Sequence, residues 1–176
     1  MSTKIFTTLL ILCGVTLTYG AQSEWLKFSP PEGRFSVMLP HEPKFELITD
    51  PDSKEVANYR YTALETGYGF ICEYFDVTST GADTNVSLDQ TRDGILRGAD
   101  ATLVSEEKIS LNGYPGRELE LAFKQPGLAN IAARTRIYLV GKRVYSLTYM
   151  HAKGLDSKTD VDNGAKFFSS FTLTMK

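Results

Sequence analysis

Histidine and cysteine are scarce in this chain, and their scarcity removes most metal and thiol chemistry at the outset. Its 176 residues hold two histidines, His41 and His151, and two cysteines, Cys13 and Cys72. A zinc site needs three or four closely placed Cys, His or carboxylate ligands. Neither histidine has a ligand-spaced partner, so both read as loop or surface side chains. Charge of one sign is also lacking. The net charge is −2 with 23% charged residues, which excludes nucleic-acid binding through a general basic field. No GxSxG elbow, Walker loop, GxGxxG or HExxH occurs, and spacing alone nominates no nucleophilic triad. Gly113-Tyr114-Pro115-Gly116 precedes a strand, whereas a phosphate loop opens a helix, so it is turn chemistry. Asp160-Val161-Asp162-Asn163-Gly164 has calcium-loop residue types, but Gly164 falls at position five and Phe171 stands where the bidentate Glu belongs. It reads as a solvated helix start. The sequence therefore points to a non-enzyme and assigns no catalytic residue, metal or cofactor.

No apolar run is long enough to span a bilayer. Ile5 to Leu17 is a short apolar core behind Lys4, and Thr18-Tyr19-Gly20 places small residues at −3 and −1 of a cut before Ala21. That is the pattern of a secretory signal peptide. Residues 1–20 are thus expected to be a leader and residues 21–176 one exported domain, periplasmic or extracellular. A retained N-terminal anchor is the alternative. A lipoprotein reading would use Cys13, but Leu12 precedes it where a small residue belongs. Without the leader Cys72 stands alone, so no intramolecular disulfide forms, and a chain of this size can rest on its core. Cys72 lies in the apolar run GFICEYF beside Glu73 and reads as a buried inert thiol. Asn85-Val86-Ser87 is a glycosylation sequon in an exported chain, and Ser87 is equally well explained as a helix cap.

What the chain does have is β-strand. In Arg136 to Met150, RIYLVGKRVYSLTYM, two runs of β-branched and aromatic residues flank Gly141-Lys142. Such side chains suit a pleated, half-buried surface. A glycine at the first central position of a two-residue loop fits a type II′ turn. The register then sets Val140 against Arg143, Leu139 against Val144 and Tyr138 against Tyr145. Asn112-Gly113 marks a second hairpin, after which Leu119, Leu121 and Phe123 alternate with Glu118, Glu120 and Ala122. Phe35, Val37 and Leu39 share one face of an early strand, and Lys44 to Thr49 reads as a short edge strand. Val56 to Leu64 puts Tyr59 and Tyr61 on one face. Tyr68 to Val77 is apolar on both faces, which marks a central strand covered on both sides.

Two helices interrupt this series. One begins at Ser87 as N-cap, with Gln90 at capping-box spacing and Leu88, Ile95 and Ala99 facing inward; Gly94 and Gly98 weaken it. The other runs from Asp160 to Phe168, capped at Thr159, with Val161, Ala165 and Phe168 inward. The pattern counts about eight strands and two helices, hence an α+β fold: a twisted antiparallel sheet flanked by helices.

Two clusters are candidate binding residues. Arg134, Arg136, Lys142 and Arg143 gather around the hairpin and would suit an acidic partner; protection of a sheet edge explains them as well. Tyr59, Tyr61, Tyr145 and Tyr149 are candidate lining for a small-ligand pocket.

Four stretches then fall in a familiar order: FSPPEGRFSVMLP from Phe28, ISLNGYPGREL from Ile109, YLVGKRVYSL from Tyr138 and FFSSF from Phe167. The chain resembles the PsbP-like group of small exported bacterial and plastid proteins, which share a fold with the Ran-binding Mog protein and resemble the periplasmic DcrB proteins. The match spans nearly the whole of residues 21–176. It implies an α/β/α sandwich around an antiparallel sheet and a non-catalytic role, such as binding or assembly with an envelope or secreted partner; a small-ligand carrier is the alternative. No functional residue of the family maps onto this sequence.

Overall fold

A computed structural model describes residues 24–49, 56–77, 84–128, 130–154 and 158–174. The expected leader, the Asp50–Ser53 loop and the polar stretch after Ser79 up to residue 83 lie outside the described residues. In chain order the elements are β1 (Leu26–Phe28), β2 (Phe35–Leu39), β3 (Lys44–Thr49), β4 (Val56–Glu65), β5 (Tyr68–Asp76), α1 (Thr84–Gly98), β6 (Ala101–Leu111), β7 (Tyr114–Phe123), β8 (Ile131–Val140), β9 (Arg143–Ala152), α2 (Lys158–Ser170) and β10 (Thr172–Leu173). A single 3₁₀ turn, Pro126–Leu128, links β7 and β8.

Two antiparallel meanders, β3-β4-β5 and β6-β7-β8-β9, join along β5 and β9 into a seven-stranded sheet of order β3-β4-β5-β9-β8-β7-β6. Turn chemistry fixes the registers. Asn112 and Gly113 have φ of 51° and 85°, the two positive values a type I′ turn requires. Gly141 has φ 62°, and Val140, Leu139 and Tyr138 pair with Arg143, Val144 and Tyr145 as the sequence predicts. Because side chains alternate across a strand, each strand of the sheet serves two layers.

One face carries an aromatic core. Phe70, Cys72, Tyr74, Tyr145, Leu147 and Tyr149 from β5 and β9 meet Phe35, Val37 and Leu39 of β2 and Phe167, Phe168 and Phe171 at the end of α2. The opposite face is aliphatic, with Leu88 of α1 over Leu119, Ile137, Leu139 and Val144. The architecture is thus an α+β sandwich with a difference: one outer layer is α1 alone, whereas the other combines α2 with a small three-stranded sheet, β1-β2-β10. β5 is the two-faced central strand expected, and β3 is an edge.

Several expectations need correction. α1 starts at Thr84, so Ser87 is not its cap; it is buried inside the helix, and its carbonyl accepts the Thr91 hydroxyl at 2.9 Å. α2 starts at Lys158, which puts Thr159 inside the helix. Ala165 faces solvent while Gly164, Phe167 and Phe168 face the sheet; the Val161 side chain lies outside the description. The two phenylalanines bury far more apolar area than an alanine, and they set the rotation of the helix. His151 lies in β9, not in a loop, and stacks on Tyr149 at 5.7 Å.

Two helix glycines should respond oppositely to the same change. A Cβ on Gly164 would sit 2.9 Å from Cδ1 of the buried Tyr149, whereas one on Gly94 meets nothing within 4 Å. Gly164→Ala should therefore destabilise the fold by about 1–3 kcal/mol through overpacking. Gly94→Ala should stabilise it by up to about 1 kcal/mol through helix propensity. Urea unfolding midpoints of the two variants check both signs.

Candidate functional site

The three arginines of the basic cluster make contacts within the molecule. β8 and β9 occupy the middle of the sheet, flanked by β7 and β5, so edge protection does not explain these charges. Arg134 and Arg136 lie over the Phe168 ring, 5.0 and 4.6 Å from its centroid, and Arg136 pairs with Glu118. Arg143 grips Asp76 with both ends of its fork, at 2.7 and 2.8 Å, and its third contact is the Glu32 carbonyl. The Arg143 hydrogen bonds hold the Asp76 carboxyl below its usual range. Its contribution is present above about pH 4 and lost as acid titrates the folded carboxylate, though solvent screens this half-exposed pair. Lys142 is exposed at the hairpin tip.

The four tyrosines separate into two pairs. Tyr145 and Tyr149 are each 3% exposed and belong to the core. The Tyr145 hydroxyl donates to the Gly33 carbonyl at 2.9 Å, and Tyr149 packs against Phe70 at 5.2 Å. Both are tied into packing contacts of the aromatic core. Tyr59 and Tyr61 are half-buried at a boundary: the small sheet reaches Tyr61 through Phe28 of β1, while β3 beyond is largely exposed. Tyr59 stacks flat on Tyr74 at 4.7 Å, and Tyr61 lies between Phe28 at 4.9 Å and Phe45 at 5.1 Å. Phe45 and Leu47 pair across strands with Tyr61 and Tyr59 and share their face. They are 51% and 47% exposed. The result is an aromatic shelf beside β3, which among the described residues pairs only with β4.

A groove occupies the opposite face. α1 covers the aliphatic patch on β6, β7 and β8 together with Val144 of β9, and the groove runs along its flank over β4, β5 and the rest of β9. The space between encloses about 770 Å³. Ile71, Phe75, Ile95, Phe123 and Met150 form apolar walls. The floor is hydroxylic: Thr135, fully buried, bonds Thr148 at 2.9 Å, and Ser146 is 3% exposed. At one end Glu73 accepts hydrogen bonds from Arg60 at 2.6 Å and Asn58 at 3.2 Å. None of the four predicted tyrosines lines this groove; the sheet stands between them and it.

Sequence reasoning also missed Arg117. It is 5% exposed and donates to Glu106 at 3.0 Å and to Asn85 at 2.9 Å, while Arg92 holds the other Glu106 oxygen at 2.8 Å. The network ties the first turn of α1, sequon asparagine included, to β6 and β7. Arg117 is in phase with Leu119 and Leu121, so alternation alone could have placed it inward.

No group of three or more His, Cys, Asp or Glu side chains converges on a metal-sized site among the described residues. Likewise, no described helix is long and apolar enough to cross a membrane. Burial, with the Glu73 charge adding to it, pushes the Cys72 thiol up. A disulfide reagent should therefore leave Cys72 untouched in the folded domain and titrate it fully in denaturant, which absorbance at the released thiolate reads directly.

Two meanders in one antiparallel sheet, a lone helix on one face and a helix with a small terminal sheet on the other define a PsbP-like α+β fold. The solved structure of cyanobacterial PsbP (CyanoP) from Synechocystis sp. PCC 6803 is similar, with a TM-score of 0.60 at 11% identity over 86% of this chain and 93% of that one. The Ran-binding protein Mog1p of Saccharomyces cerevisiae also matches, at TM-score 0.46 and 11% identity over 86% of this chain and 96% of that one. So does a protein of unknown function, a putative regulator from Pseudomonas aeruginosa, at 0.44 and 10% over 80% and 88%. No family model and no curated protein matches the chain. At these identities the likeness concerns the fold.

Proposed function

We propose that this chain is an exported, non-catalytic binding domain that docks on a protein of the envelope or the secreted space. The observation that carries this reading is the shelf of Phe45, Leu47, Tyr59 and Tyr61 beside the edge strand β3, whose outer side no described strand pairs with. Exposed aromatic and aliphatic side chains gathered on one face are costly in water and mark contact surfaces. Tyr and Phe are enriched where protein partners meet, and a free edge can accept a strand from a partner. The leader pattern before Ala21 supports export.

The test uses the tagged full chain, expressed with its own N-terminus, to capture proteins from native envelope and secreted fractions. One stoichiometric partner should be held by the parent protein and by Lys108→Ser, on the far edge of the sheet. Phe45→Ser/Leu47→Ser should lose it. Equal capture by all three, or none by any, would count against the shelf.

A small-ligand carrier is the second reading, and the groove favours it. Its volume of about 770 Å³ lies within the roughly 300–1,000 Å³ typical of small-molecule sites.

A further inference from the structure

We propose that the groove beneath α1 binds an uncharged amphiphile, an apolar chain or ring system carrying one or two hydrogen-bonding oxygens. This extends beyond the docking surface, which lies on the other face of the sheet, and does not depend on it.

Shape comes first. The flank of α1 that overhangs β9 and β5 carries Ser87, Thr91, Gly94 and Gly98, all of which line the groove. Nothing lies within 4 Å of where a Cβ would stand on either glycine. Gly94, interior to α1, costs up to about 1 kcal/mol relative to Ala, Gly98 closes the helix, and no close packing requires either. Their effect is to keep the groove open.

The lining sets the chemistry. Where α1 presses on the sheet, the inward residues are Leu119, Ile137 and Val144. Beside that contact the same face turns hydroxylic at Thr135, Ser146 and Thr148, of which Thr135 and Ser146 are buried at the groove floor. Hydroxyls on a floor between apolar walls suit a ligand that is mostly hydrocarbon with a few oxygens. Asn58 Oδ1, beside Glu73, is a buried acceptor with no donor among the described residues, and the Asn58 amide lines the groove.

Charge then narrows the class. Among the described residues, the charged side chains that line the groove are Arg60, Glu73 and Asp76. Arg60 and Glu73 neutralise each other at 2.6 Å, and Asp76 is held by the fork of Arg143. A charged head group would be desolvated with no free counter-charge to meet it, or would have to break one of these pairs. An uncharged head incurs neither cost.

Three probes with one decyl chain separate the possibilities: decan-1-ol, decanoate and decylammonium, each titrated into the full chain and followed by calorimetry. Decan-1-ol should bind about tenfold tighter than either ion. Gly94→Leu, whose Cβ meets nothing within 4 Å on the flank that lines the groove, should weaken decan-1-ol binding by about tenfold or more while leaving the melting temperature at or above that of the parent. Gly98→Leu repeats the blockade at a second point of the rim, and Phe45→Ser should change nothing. No binding by any probe, an ion that binds as tightly as the alcohol, or undiminished binding in both glycine variants would each overturn the proposal.

Discussion

Phe35→Ala is expected to destabilise the domain by about 3–5 kcal/mol, the range for deleting a buried aromatic ring. Phe35 is 1% exposed and stands where the small terminal sheet meets the large one. Its ring touches four others: Phe171 at 5.4 Å, Tyr145 at 5.8 Å, Tyr74 at 6.3 Å and Phe28 at 6.4 Å. These rings come from β1, β5, β9 and the end of α2, so the cavity left behind cannot close by one local shift. Gly33 sits so close that a Cβ there would lie 2.7 Å from the Phe35 ring. A small domain holds only about 5–15 kcal/mol in total, so the variant should lie near its unfolding threshold. Urea unfolding measures the loss, and near-ultraviolet circular dichroism should show slackened tyrosine packing. A loss under about 1 kcal/mol would mean that Phe35 is not the hinge of this core.

Arg117→Ala has the second largest expected effect, about 3 kcal/mol. Removing one member of a buried ion pair typically costs about 3–5 kcal/mol, because the partner charge stays behind unmatched. Here Glu106 keeps Arg92 at 2.8 Å, which places the loss at the lower end. The Asn85 side chain also loses the donor that Arg117 supplied, so damage should spread to the first turn of α1. Faster amide exchange at the start of α1 than at the centre of β9 would distinguish this network from general destabilisation. Arg117→Lys should rescue only part of the stability, since one ammonium cannot serve Glu106, Asn85 and the Gly116 carbonyl in the planar arrangement of a guanidinium.

What could be read in advance divides along physical lines. Turn chemistry is local, so Gly141-Lys142 and Asn112-Gly113 announced their hairpins and the Tyr138–Tyr145 register. Alternation is also local, and it identified β5 as two-faced from Phe70, Cys72 and Tyr74 against Ile71 and Phe75. The extent of each outer layer is a tertiary property. Nothing in the spacing of Tyr59, Tyr61, Tyr145 and Tyr149 says that the last two are buried in the core while the first two are left half-buried at its margin. The helix start was misplaced because Ser87 and Gln90 have the spacing of a capping box yet sit within a helix that begins at Thr84. The groove left a faint sequence trace. Thr135, Ser146 and Thr148 are polar at positions in phase with Ile137 and Val144, and Gly94 and Gly98 are a helical turn apart on α1. Polar residues at inward positions opposite a glycine-bearing helix flank are a readable sign of a space that side chains do not fill.

The docking surface is the central claim, and site-specific photo-crosslinking in the native organism tests it most directly. A benzophenone amino acid placed at position 45 or 47 should yield one discrete adduct with a protein of the envelope or secreted fraction. The same group at position 108, on the opposite edge, should yield none. Absence of any adduct from positions 45 and 47, or the same adduct from all three positions, would contradict the assignment of the β3–β4 shelf as the partner surface.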